Sequence, residues 1–202
     1  MATTGRTVSL SRVYEPEQQF IRKNVRGQGG SAIDYYGSIY HGETVTHLDA
    51  LGHIWDRDGM WQGRDPEVEI DTRGLRFGDI TAWRDGIITK GVLLDVPRHR
   101  GEPHVTADRP VHGWELEAIA EQEGVQVGPG DAVAVYCGRE AYMKERGSYV
   151  LTGSRPGLHA SCLIFLRDHD VAAMAWDMHD AMPTDEEYGV NPHTALWRFG
   201  LA

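Results

Sequence analysis

Apolar residues in the second half of the chain alternate between runs of strand length and stretches of helical spacing. The continuous apolar run Gly91–Val96 predicts a strand that is buried on both faces. The next apolar residues recur at helical spacing; they are Trp114, Leu116, Ile119 and Ala120. Gly124 follows them at the position where a helix would stop. A turn at Val127–Asp131 then leads into a second predicted strand, Ala132–Tyr136.

The same alternation continues towards the C-terminus. Residues 158–169 predict a helix, with Leu158, Cys162, Phe165 and Leu166 on one face, and residues 171–176 predict a third strand. Strand–helix–strand order, occurring twice, predicts an α/β domain with some parallel pairing.

The N-terminal part carries a weaker pattern. Residues 1–30 have few apolar anchors and include the glycine-rich run Arg26–Gly30, so we predict a flexible segment there. Residues 33–41 predict a strand that leads into a cluster of polar residues.

Composition and charge narrow the class of protein. The 202 residues, 41% of them hydrophobic, suit one domain with a sizeable core. The net charge of −10 argues against a nucleic-acid partner, and no apolar run is long enough to span a membrane. Residues 1–26 lack the apolar region of a signal peptide, and Cys137 and Cys162 form no disulfide pattern. We therefore expect a cytoplasmic protein.

Candidate chemistry is concentrated in residues 40–58. Three imidazoles and two carboxylates lie at odd-numbered positions within thirteen residues; they are His41, Glu43, His47, Asp49 and His53. In an extended strand, His47 and Asp49 would point to the same side, and in a helical turn Asp49 and His53 would be neighbours. Imidazole nitrogens and carboxylate oxygens are ligands for divalent metals, so we predict a metal site.

Aromatic residues follow this cluster directly. Trp55 and Trp61 flank a predicted turn and either line a pocket for an aromatic substrate or pack in the core. Asp56 and Asp58 between them are interpreted as solvated turn residues.

The segment Thr46-His47-Leu48-Asp49-Ala50, followed by His53, resembles the signature His-x-Gly-Thr-His-x-Asp-x-x-x-His of the Putative cyclase family of metal-dependent hydrolases. That family includes bacterial kynurenine formamidase and isatin hydrolase. The similarity continues through four further segments, which are residues 60–64, 91–95, 129–131 and 155–159. Together these segments extend it over nearly the whole chain.

The resemblance implies roles for individual residues. His47 and Asp49 would be metal ligands, with Asp49 bridging where two metals bind, and His53 would be the catalytic acid and base. The signature's first histidine falls on Glu43, so we expect His41 to be that ligand, with Glu43 as the alternative.

The resemblance also implies two more ligands towards the C-terminus. His193 matches a distal histidine ligand of the family, and a glutamate ligand would fall beyond Ala202. Either the sequence is truncated at its C-terminus, as we expect, or the site lacks one carboxylate.

The fold implied by the resemblance is a single layered β/β/α domain of the swivelling type, with a mixed sheet, across residues 1–202. The implied cofactor is one or two divalent ions of zinc or manganese. We further expect a homo-oligomer that acts on a small-molecule substrate.

The function implied by the resemblance is metal-dependent hydrolysis of a C–N bond, in an aryl formamide such as N-formylkynurenine or in a cyclic amide. Two alternatives stay open. His47, Asp49 and His193 also match the two-histidine, one-carboxylate triad of non-haem iron oxygenases. The altered first ligand and the missing glutamate leave a non-catalytic metal-binding or interaction domain as the second alternative.

Overall fold

The computed structural model describes residues 4–14, 18–41, 45–149 and 153–182. The chain divides into two compact units, Met1–Asp49 and Ala50–Ala202, and each is described by itself. The assignment of residues 1–202 to one domain stays a prediction.

The first unit is built around a β-hairpin, where the sequence pattern predicted a flexible segment. Strand β1, Gln18–Arg26, pairs antiparallel with β2, Gly29–Gly37, in a continuous register from Gln18 opposite Gly37 to Arg26 opposite Gly29. Gly27 opens the two-residue turn with a φ of 59°, the positive value that a type II′ hairpin turn requires at this position. The prediction was wrong because side chains on both faces of the hairpin are largely exposed, which removes the apolar–polar alternation of a half-buried strand. The strand predicted over residues 33–41 is the second half of β2 and ends at Gly37.

The second unit begins with short elements. Asp56 and Gly59 pair across the predicted turn, and the Asp58 N–H donates to Asp56 Oδ1 over 2.9 Å. The following elements are a 3-10 turn (Trp61–Gly63), helix α1 (Pro66–Glu69), the paired strands β3 (Ile70–Asp71) and β4 (Gly74–Leu75), and a second 3-10 turn (Ile80–Trp83).

A three-stranded parallel sheet organises the rest of this unit. Its order is β5 (Gly91–Asp95), β6 (Ala132–Tyr136) and β7 (Ala173–Trp176), and β6 pairs with both neighbours. The helices along the chain are α2 (Val96–Arg100), α3 (Gly113–Glu123), α4 (Arg139–Arg146) and α5 (Cys162–Asp168). This confirms an α/β fold with parallel pairing. Each described sheet is wholly parallel or wholly antiparallel, so the mixed sheet and the swivelling-type layering stay predictions.

The core lies on one side of the parallel sheet. Side chains of β5 alternate: Val92 and Leu94 are buried, whereas Leu93 is 57% exposed. Burial of this strand on both faces was therefore a wrong prediction. The buried cluster combines strand and helix residues, among them Leu94, Leu116, Ile119, Val133, Val135, Leu158, Phe165 and Leu166.

The predicted helices are present with shifted boundaries. Gly124 terminates α3 in the left-handed conformation, as the sequence predicted. Helix α5 begins at Cys162 and not at residue 158, because Leu158 is extended and bridges both Val111 and Asp180. The segment after β5 forms α2, whose first turn is capped by the Asp95 carboxylate. No helix among the described residues is long and apolar enough to cross a membrane.

A buried ion pair connects α2 to α3. The Arg100 guanidinium donates to both oxygens of Glu115 over 2.6 Å, and the two side chains are 6% and 5% exposed. Arg100 also donates to the carbonyl oxygens of Arg109 and Pro110. The hydrogen bonds to the Glu115 carboxylate raise the pKa of Arg100, so the guanidinium keeps its charge although it is buried.

Removing one partner of this pair should strongly destabilise the fold. In Glu115→Ala, the Arg100 charge stays buried without a counter-ion, and we expect a loss of about 3–5 kcal/mol in the free energy of unfolding. Urea denaturation followed by circular dichroism measures it. The control is Arg167→Ala, which breaks an exposed pair with Asp170 and should cost about 0–1 kcal/mol. Equal losses in the two variants would contradict the assignment.

Candidate metal centre

The predicted ligands of the first unit lie in irregular backbone after the hairpin. Tyr40 and His41 form a turn, and residues 46–50 adopt no helix or strand. The strand geometry predicted for His47 and Asp49 is therefore absent, and their proximity comes from the path of this loop.

Two imidazoles meet on one carboxylate oxygen. His41 Nδ1 lies 2.7 Å from Asp49 Oδ1, and His47 Nε2 lies 3.3 Å from the same oxygen. The two rings are perpendicular, with centroids 5.3 Å apart, and the Tyr40 ring packs against both. The side chains of His47 and Asp49 are about three-quarters buried, whereas that of His41 is 41% exposed.

The hydrogen bond of His47 Nδ1 determines whether Nε2 of the same ring is a donor or an acceptor. His47 Nδ1 lies 2.7 Å from the carbonyl oxygen of Val45, which can only accept, so Nδ1 carries a proton. In a neutral ring, Nε2 then presents a lone pair towards the carboxylate oxygen of Asp49. Two acceptors at this distance need a proton or a cation between them. A backbone carbonyl on the remote nitrogen is also what orients a metal-binding histidine.

The donor set therefore fits a divalent transition metal. His41, His47 and Asp49 offer two nitrogens and one oxygen, the ligand types of catalytic zinc sites and of manganese. Glu43 and His193, the other two predicted ligands, lie outside the described residues. The choice between His41 and Glu43 stays a prediction, although His41 contacts Asp49 directly.

His53, the predicted acid and base, belongs to the second unit. Its backbone N–H donates to the carbonyl oxygen of Ala50 over 2.9 Å, which closes a tight turn, and its side chain is partly exposed. Its catalytic role stays a prediction.

The two predicted aromatic residues differ in environment. Trp55 is 45% exposed, as a residue that meets a substrate could be. Trp61 stacks on Phe77, with ring centroids 5.8 Å apart and an interplanar angle of 11°. The Arg64 guanidinium covers the Phe77 ring, 3.7 Å from its centroid. Trp61 thus takes part in local packing, and substrate contact by either tryptophan stays a prediction.

The second unit contains a polar cluster to which sequence reasoning gave no function. The ring centroids of His112 and His159 are 4.2 Å apart. Ser161 Oγ lies 3.4 Å from Nδ1 of His112 and 2.9 Å from Nδ1 of His159. Ser161 Oγ also accepts the Gly113 N–H at the start of α3. The segment with His112 and the segment with His159 and Ser161 lie far apart in the sequence, so no local pattern could have grouped them.

Two acidic residues follow strand β7. The Asp177 carboxylate accepts three backbone N–H groups, from Cys137, Gly138 and Arg139. It therefore caps the start of α4 and is a structural residue, although burial raises its pKa. Asp180 is completely buried, and neither of its carboxylate oxygens has a hydrogen-bond partner among the described residues.

The fold and the imidazole–carboxylate cluster together define the class of protein, which is an α/β protein with a candidate metal centre. Residues 8–182 match the family model described as Putative cyclase, and the chain belongs to that family. A crystal structure described as a novel cyclase has the same fold, with a TM-score of 0.66 and 17% sequence identity. The similarity covers 87% of this chain and 67% of that one. No curated protein matches the sequence.

The candidate centre predicts selective loss of metal. We expect zinc or manganese to bind the wild-type protein, and His47→Ala or Asp49→Ala to lose most of it, because each removes a donor from the shared contact. Inductively coupled plasma mass spectrometry of dialysed protein measures the content. Asp58→Ala, which removes an exposed carboxylate from the turn of residues 56–59, is the control and should retain the metal. Equal metal in all four proteins would rule the centre out.

The same measurement distinguishes the two candidates for the first ligand. His41→Ala should lose metal and Glu43→Ala should keep it, because His41 contacts Asp49 directly. The reverse result would assign the position to Glu43.

Proposed function

We propose that this protein is a metal-dependent hydrolase that cleaves the C–N bond of an aryl formamide or a cyclic amide. The observation that carries the proposal is the convergence of His41 and His47 on one oxygen of Asp49. Membership of the Putative cyclase family supports it, because arylformamidase-like hydrolases are related to that family. A bound divalent metal would supply Lewis acidity and a water of lowered pKa, about 7 in zinc hydrolases.

The residues of the chain would divide the remaining work. His41, His47 and Asp49 would bind the metal, and the hydrogen bond from His47 to Val45 would keep the His47 ring oriented. The ring of Tyr40 packs against both imidazoles and would limit the access of bulk water on its side.

Proton transfer would fall to His53, four residues after Asp49 in the sequence. The attacking water adds its oxygen to the carbonyl carbon and gives a proton to His53. His53 returns that proton to the nitrogen as the C–N bond breaks, which releases a carboxylate and an amine. A positioned imidazole can act both as general base and as general acid near neutral pH.

The aryl part of the substrate would pack against exposed aromatic surface. Trp55 is the favoured contact because nearly half of it is exposed, whereas Trp61 already stacks on Phe77. This supports an aromatic substrate over a small aliphatic one. Trp55→Ala should therefore raise KM for aryl formamides more than for an alkyl formamide.

The decisive variant is His53→Asn. If His53 transfers protons and binds no metal, the variant should keep its metal while the rate of formamide hydrolysis falls about 10²–10⁴-fold. Stopped assays with N-formylkynurenine and a panel of lactams, together with metal analysis, measure both. His99→Asn on α2 is the control for histidine replacement and should retain activity.

Other outcomes would point elsewhere. Loss of metal in His53→Asn would make His53 a ligand. Oxygen consumption by iron-loaded protein, without amide hydrolysis, would indicate an oxygenase. Metal binding without turnover of any amide would indicate a binding domain.

A further inference from the structure

A pocket of about 320 Å³ lies in the second unit, between the loop that joins α2 to α3 and the end of α4. Its loop wall consists of residues 102–109, and its helix wall consists of Glu145 and Arg146 in the last turn of α4. Ionisable side chains dominate the lining; they are Glu102, His104, Asp108, Arg109, Glu145 and Arg146. A surface that only faces water has no need of such a concave shape, so we examined what the pocket could hold.

The backbone around the pocket is tied to the parallel sheet. The Val105 N–H donates to the carbonyl oxygen of Cys137, the residue after β6, over 2.9 Å. Gly138 has a φ of 86°, and a Cβ atom at this position would lie 2.5 Å from the Pro103 carbonyl oxygen. Glycine therefore lets the loop pack closely against the start of α4. The pocket thus forms at the carboxyl end of a parallel strand, where α/β proteins commonly bind ligands.

A buried histidine connects the two walls. His104 is 4% exposed, and its Nε2 lies 2.9 Å from Glu145 Oε2 on the helix wall. Its Nδ1 lies 3.0 Å from the Val105 carbonyl oxygen, and the Tyr142 ring packs edge-on against the imidazole. The hydrogen bond from His104 lowers the pKa of Glu145, so this carboxylate is ionised at neutral pH. Because both ring nitrogens have partners within the protein, His104 orients Glu145 and does not itself contact a ligand.

The helix wall offers a guanidinium. Arg146 Nε lies 3.1 Å from Glu145 Oε1, and the Arg146 side chain is 60% exposed. Since this contact uses Nε, the paired Nη groups are the donors that Arg146 offers to a ligand. Two parallel N–H groups of a guanidinium match the two oxygens of a carboxylate.

The loop wall offers a carboxylate. Thr106 and Arg109 close a turn around Asp108, in which the Arg109 N–H donates to the Thr106 carbonyl oxygen over 3.1 Å. The hydrogen bond from the Thr106 side chain lowers the pKa of Asp108, so Asp108 is ionised at neutral pH. Glu102 forms a salt bridge with Arg109, whereas no salt bridge joins Asp108 to a cation in the described part of the chain. Asp108 is therefore the acceptor that this wall offers to a ligand.

Fixed charges of both signs restrict the ligand. A simple anion would meet the carboxylates of Glu102 and Asp108, and a simple cation would meet the guanidinium groups of Arg109 and Arg146. A volume of about 320 Å³ is near the lower limit of small-molecule pockets, which span about 300–1,000 Å³.

We propose that this pocket binds a small zwitterion of the α-amino acid class, with the ammonium group at Asp108 and the carboxylate at the Nη groups of Arg146. The site contains no ligand of the candidate metal centre, and its occupation does not depend on the proposed hydrolysis.

Ligands that differ only in charge test the proposal on the whole protein. L-Alanine carries both groups, propionate lacks its ammonium, and ethylamine lacks its carboxylate. Saturation-transfer difference NMR, with each ligand titrated into the wild-type protein, measures the three Kd values. We expect L-alanine to bind at least about tenfold more tightly than either analogue, because each analogue forfeits one charged contact. Absence of L-alanine binding, or equal affinity for all three molecules, would overturn the proposal.

Two substitutions of exposed residues assign the contacts. Arg146→Gln should weaken L-alanine binding about tenfold or more and make its Kd similar to that of ethylamine. Asp108→Asn should weaken it to a similar extent and make its Kd similar to that of propionate. A merely structural effect would not produce this opposite loss of selectivity.

Arg167→Gln on α5 is the matched control, since Arg167 is 59% exposed and forms a salt bridge with Asp170. This variant should bind L-alanine as the wild-type protein does, and circular dichroism should show the same fold in all three variants. Unchanged binding in Arg146→Gln and Asp108→Asn, or an equal loss in Arg167→Gln, would contradict the assignment of the pocket.

Discussion

Parallel pairing of β5, β6 and β7 is the constraint on which the second unit depends. Parallel neighbours cannot be joined by a tight turn, so the chain must cross back along the sheet between strands. Helices α3 and α5 occupy these crossings and bury the core residues Leu116, Ile119 and Phe165. The same topology brings the end of β7 beside the start of α4, where Asp177 accepts three backbone N–H groups.

The first unit depends on a different interaction. Asp49 presents one oxygen to two imidazoles, and the hydrogen bond from His47 to Val45 turns an acceptor nitrogen towards that oxygen. Such a contact is favourable when a positive charge is shared between the groups, which is the electrostatic basis of a metal site. The convergence needs no regular secondary structure, because the three residues lie within one short stretch of the chain.

Among the described residues, the hairpin forms a sheet of two strands only. Its strands are held by a complete antiparallel register, but its side chains gain little burial from the hairpin alone. Because hydrophobic stabilisation scales with the apolar area removed from water, these exposed side chains contribute little to the stability of the hairpin.

The sequence by itself determined the elements whose signals are local. Strand β6 has the predicted bounds and Gly124 ends α3, whereas the contact between His47 and Asp49 follows the path of an irregular loop. Only the tertiary structure decided which face of β5 is covered and where α5 begins, because both depend on contacts between distant segments. Strand β1 and the first half of β2 also lay beyond prediction, since strands exposed on both faces carry no alternation of apolar and polar residues. The contact between His112 and His159 could be found only in the folded chain, because residues that are distant in sequence leave no local pattern.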